Sequence, residues 1–94
     1  MVLVLKDGKQ LQFMYITTNP DTGYFEFRFG DGTSVGDPEN FIKNNFTKDN
    51  LSEIKIYDSL NSDGELTNQI AELELSRLVD ISYDENEFMI VQIE

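Results

Sequence analysis

The side chains in this sequence that could do chemistry are carboxylates, and little else. Histidine and cysteine are both absent. That removes the usual proton carrier near neutral pH, both common nucleophile–base pairings and the soft ligands of zinc and iron–sulfur centres. With 18 acids in 94 residues, close pairs such as Glu72/Glu74 arise by chance. A glycosidase-like pair also needs a deep cleft, which a domain this small rarely builds. The reading is a protein that is not an enzyme.

One stretch resembles a metal motif. Asn61-Ser62-Asp63-Gly64 is spaced like the middle of a calcium loop. Setting Gly64 at the sixth loop position puts Ser59 at the first and Ile70 at the twelfth, where the motif requires Asp and a bidentate Glu. Two of the strongest ligands are missing, so the stretch reads as an Asp-Gly turn. No Gly-rich run ends in Lys-Ser or Lys-Thr. Gly30, Gly32 and Gly36 are irregularly spaced among acids that would repel phosphate. No metal and no cofactor is expected.

The acids themselves are the candidate feature. The chain carries 18 acidic and 7 basic residues, a net charge of −11. Residues 1–46 hold 6 acids and 4 bases, whereas residues 47–94 hold 12 acids and 3 bases. Direct binding to nucleic acid or to an anionic lipid surface is therefore disfavoured, and a partner chosen by charge would be basic. Asp58, Asp63, Glu65, Glu72, Glu74, Asp80, Asp84, Glu85 and Glu87 are the candidate partner-binding residues. Gathered on one surface, they would imitate a nucleic acid backbone and occupy a basic groove. Duplex phosphates give one charge per about 1.7 Å, while alternate strand positions lie about 6.6 Å apart. Adjacent strands and their turns would have to combine to approach that density. The plainer reading, that these acids keep a small β-rich protein soluble and guard its sheet edges, weighs more on sequence alone.

The elements that must position these acids are mostly strands. Phe25, Phe27 and Phe29 alternate with Tyr24, Glu26 and Arg28, so one face of a strand is an aromatic wall needing cover. Met1–Leu5 is apolar on both faces, Asp7-Gly8 is a hairpin signal, and Gln10–Thr17 returns with Leu11, Phe13 and Tyr15 on one face. Asn19–Gly23 is a turn, and Gly30-Asp31-Gly32 ends the aromatic strand. The spacing predicts a three-stranded antiparallel meander.

Asp37-Pro38-Glu39 predicts a helix start, with Phe41, Ile42 and Phe46 on the side that covers the wall, over about 38–46. Thr47–Ser52 is a polar link or one further turn, Glu53–Tyr57 a strand, and Asp58–Gly64 a loop. In 65–76, Leu66, Ile70, Leu73 and Arg77 fit a helix face while Leu73 and Leu75 alternate; strand pairing is the stronger reading. Val79, Ile81 and Tyr83 alternate again. Glu87–Ile93, apolar on both sides, belongs inside a sheet. The fold class is α+β, mainly an antiparallel sheet of about six or seven strands with one short helix, in one domain of residues 1–94. Such a domain buries about 60–65% of its unfolded surface.

No apolar run spans a bilayer, and Met1–Leu5 meets Lys6-Asp7 too early for a signal-peptide core. The glycosylation-like triplets at Asn45 and Asn50 are therefore not expected to be used, and a cytoplasmic site is the default. The segments Asn50–Tyr57, Asp63-Gly64-Glu65 and Ile81–Val91, in a short, acidic, Cys- and Trp-free chain, resemble small proteins encoded by bacteriophages. That resemblance implies either an inhibitor of host defence, anti-CRISPR-like and non-enzymatic, or a minor virion or tail-region protein that assembles through strand edges or an apolar patch.

Overall fold

Asp7 and Gly8 reverse the chain as their types suggest. The Asp7 carboxylate accepts the Lys9 amide at 3.0 Å, and the Gly8 amide donates to the Leu5 carbonyl. This turn pairs β1 (Val2–Val4) with β2 (Gln10–Gln12). A second reversal, in which the Asn19 side chain accepts the Asp21 amide, pairs β3 (Tyr15–Thr18) with β4 (Phe25–Phe29). The computed structural model describes residues 1–30 and 35–94, so the expected stop at Gly30-Asp31-Gly32 lies partly outside the described residues.

Two short helices follow. Asp37 caps α1 (Pro38–Asn45) by accepting the Asn40 amide, and Thr47 caps α2 (Lys48–Leu51) by accepting the Asn50 amide. The link at 47–52 is thus one further helical turn. Four strands complete the chain: β5 (Ile54–Leu60), β6 (Leu66–Leu73), β7 (Leu78–Tyr83) and β8 (Met89–Ile93). The ambiguous 65–76 stretch is strand.

The fold is α+β and mainly β, built from two antiparallel four-stranded sheets. One has the order β2-β1-β5-β6, the other β3-β4-β8-β7. The expected meander of the first three strands is therefore corrected. β1 and β2 belong to one sheet, while the aromatic strand β4 belongs to the other. The cause is a corner at Phe13–Met14. The Phe13 amide donates to Met1 in the first sheet at 2.9 Å, and the next amide, Met14, donates to Arg28 in the second at 2.8 Å. Crossing sheets shifts the inward alternation by one residue. Leu11 and Phe13 face the core, and then Ile16 does, so Tyr15 is turned outward and is 43% exposed.

A matching corner joins β6 to β7. The Leu75 amide donates to Leu51, and the Arg77 amide and carbonyl both pair with Glu94. Two bent runs of chain thus serve both sheets, the way strands switch layers in orthogonal packings.

The wall has its cover. Phe27 and Phe29 are buried, with the Phe13 ring edge-on to Phe27 at 5.2 Å. Leu3, Leu11, Ile54 and Ile56 come from the opposing sheet, and Ile42, Phe46 and Leu51 from the helices. β8 lies between β4 and β7, inside its sheet as its two apolar faces require. No helix among the described residues is long and apolar enough to cross a membrane.

Candidate acidic interface

The nine candidate acids fall into separate groups, because the fold sends their strands to different sheets. The first group sits on an arm. β1 pairs with β5 only as far as Tyr57, whereas β5 and β6 stay paired out to Leu60 and Leu66. Residues beyond that point form a two-stranded hairpin, an arm whose Ser59 and Leu60 line a pocket with Met1, Gln12, Phe13 and Met14. Asp58, expected in a loop, is on its first strand, and Asp63 and Glu65 are in its turn. The turn is built by Asn61, whose side-chain oxygen accepts the Asp63 and Glu65 amides at 2.9 Å each. Gly64 completes it with a φ of +79°, a conformation that side chains rarely adopt. The calcium-like stretch is thus a turn, and no group of three acids among the described residues is placed to share a metal ion. Cross-strand bonds from Tyr57 to Gln69 and between Ser59 and Thr67 hold the arm together. All three of its acids are exposed, and none has an ion-pair partner among the described residues.

Glu72 and Glu74 form a second group at the far end of β6. With Glu53 they border a shallow groove floored by Leu73. Cations are close by: Lys6 lines the same groove, and Lys55, in register with Glu72, lies 3.8 Å from Glu53. From Leu66 to Leu73 a strand runs about 24 Å at about 3.4 Å per residue. That exceeds twice the screening length of about 8–10 Å at physiological salt. The turn of the arm, with Asp63 and Glu65, and this groove therefore act as separate fields.

The third group belongs to the other sheet. Asp80 is on β7 in register with Gln92, and Asp84, Glu85 and Glu87 are in the β7–β8 turn. Asp84 is a structural residue. It is paired with Arg28, and it accepts the Asn86 and Phe88 amides. Desolvation opposes its charge, but the two amides and the guanidinium outweigh it and hold the carboxyl below its ordinary value. Arg28 also lies over the Tyr15 ring, 5.6 Å from its centre.

Two acids that sequence reading assigned to a helix start, Asp37 and Glu39, join this last group. The Tyr83 hydroxyl donates to Glu39 at 3.0 Å, across 44 residues. Burial, then the Glu39 hydrogen bond and charge, then Asp37, push the Tyr83 hydroxyl above its ordinary value, so it stays a donor. No linear signal could have disclosed that meeting.

These groups respond to acid in opposite ways. A carboxyl held low binds its proton less tightly folded than unfolded, so Asp84 and Asp7 contribute fully above the ordinary value of 3.8 and lose that contribution as pH falls below it. The exposed acids repel one another, and partial protonation relieves them. The melting temperature should therefore rise from neutral pH to about pH 5 and fall below about pH 4. Scanning calorimetry across pH checks this. A steady decline from neutrality would show that self-repulsion is unimportant.

Comparison with protein-family models, curated proteins and solved structures finds no match for this chain.

Proposed function

We propose that this chain is a non-catalytic binding module that presents its β5–β6 arm to the basic groove of a nucleic-acid-handling protein. The observation that carries this reading is the place of Asp58, Asp63 and Glu65, exposed on the part of the β5–β6 hairpin that runs on after pairing with β1 ends, with no ion-pair partner among the described residues. From Asp58 to the turn is about 10 Å of strand. Three carboxylates over that length stand about 5 Å apart on average, nearer to one nucleic acid strand at one charge per about 3.4 Å than to a duplex at about 1.7 Å. The groove that fits is thus one that takes a single strand. In the setting implied by the resemblance to phage proteins, the partner is a host protein in the bacterial cytoplasm, and the module is an inhibitor of the anti-CRISPR kind.

Assembly through strand edges is less well served. The β6 edge is interrupted by a bulge at Ile70 and a positive φ at Asn68, and the β7 edge by a bulge beside Asp80. The remaining edges are the three-residue β2 and the four-residue β3. Such bulges and short strands are ways of blocking edge pairing.

Salt tests the reading. With the chain immobilised and host lysate applied, a basic nucleic-acid-binding protein should be retained at low ionic strength and released steeply as salt rises. Added single-stranded nucleic acid should compete for it. Retention that persists in high salt would instead favour edge or apolar assembly.

A further inference from the structure

We propose that the pocket between the β7–β8 turn and the start of α1 receives a lysine or arginine side chain from the partner. This rests on the basic-partner reading above but uses a different part of the molecule from the arm. The pocket holds about 320 Å³. That is the small end of ligand sites, which run from about 300 to 1,000 Å³, and it suits one side chain. Its apolar walls include Phe29, Met89 and Pro38, and Tyr83, Phe88 and Glu87 are also among its lining. An aliphatic stem lies well on such walls while its charged head stays at the mouth. Tyr83 and Phe88 are among the lining, and an aromatic face turned to that head would attract it. Glu87 supplies the opposing charge, and Glu39 and Asp37 add to it beside the Tyr83 hydroxyl. Lys43, 3.3 Å from Glu39, is the one base paired to these acids among the described residues. An anionic group would be repelled.

The backbone at Glu87 bears on how the pocket is tested. Its φ is +65°, the left-handed region in which any side chain is disfavoured and glycine is usual. Among the described residues, the other non-glycine residue with positive φ is Asn68, a type that tolerates it. Glu87 has no ion-pair partner among the described residues that would offset the strain.

The test uses the isolated protein with acetyl-lysine amide, acetyl-arginine amide and the neutral acetyl-norleucine amide, followed by amide shifts in NMR titrations. The lysine or arginine probe should move the Tyr83, Glu87 and Phe88 amides saturably, and norleucine should not. Glu87→Gly should raise the melting temperature by about 3 °C and weaken the response by about fivefold. Phe88→Leu should weaken it while keeping the fold. No response, an equal response to norleucine, or an undiminished response in Glu87→Gly would overturn the assignment. Because no partner protein is present, this outcome is independent of whether the arm binds one.

Discussion

Phe27→Ala should be strongly destabilising, by about 3–5 kcal/mol. The ring is fully buried, touches Phe13 edge-on, and lies in β4 between its neighbours β3 and β8. Removing a buried Phe costs about 3–5 kcal/mol through lost transfer energy and the cavity left behind. A domain of this length has about 5–14 kcal/mol in total, so a substantial part of the margin disappears. The site cannot collapse easily, because both sheets and both helices contribute to the same core. Urea unfolding followed by far-ultraviolet circular dichroism gives the loss directly. Phe41→Ala, at a half-buried position packed against that core, should cost clearly less. Equal losses would mean that the aromatic strand does not organise the interior.

The second large effect concerns binding. Reversing Asp58, Asp63 and Glu65 to Lys should cut affinity for the basic partner on the order of 100-fold, since like charges would now face each other across the interface. Stability should hold or improve, because these side chains make no ion pairs among the described residues and the net charge of −11 is reduced. A matched control is Glu72, Glu74 and Asp80 to Lys, which changes the net charge equally but leaves the arm intact. It should bind within a few-fold of the parent. Calorimetric titration of parent, variant and control against the partner separates the two possibilities. If the control loses affinity equally, overall charge rather than the arm carries recognition.

Local chemistry was legible in the sequence, and long-range placement was not. Asp37-Pro38 announced a capped helix and Asp7-Gly8 a turn, because each acts on amides within three residues of itself. The alternating phenylalanines announced a buried face for the same local reason. The corner at Phe13–Met14 had no such signature. Gln10–Thr17 reads as one unbroken strand, and only the carbonyls of Met1 and Arg28 decide where it changes sheets. The arm was hidden too, because Asp58 is on it only on account of where β1 stops pairing. Nearness in sequence left open that the nine acids share one surface; a bent chain shared by two sheets parts them. In the same way Glu39 and Tyr83 gave no hint of each other.

That connectivity also governs when the molecule can form at all. β4 pairs with β8 through Phe27 and Val91, and β1 with β5 through Leu3 and Ile56, so both central ladders join residues more than fifty positions apart. Contacts that distant must pay for closing long loops before they yield anything, which slows folding. During synthesis the aromatic strand must wait, with its phenylalanines uncovered, until Ile93 has left the ribosome. The nascent chain therefore depends on its own negative charge, or on a chaperone, to stay apart from its neighbours over that interval.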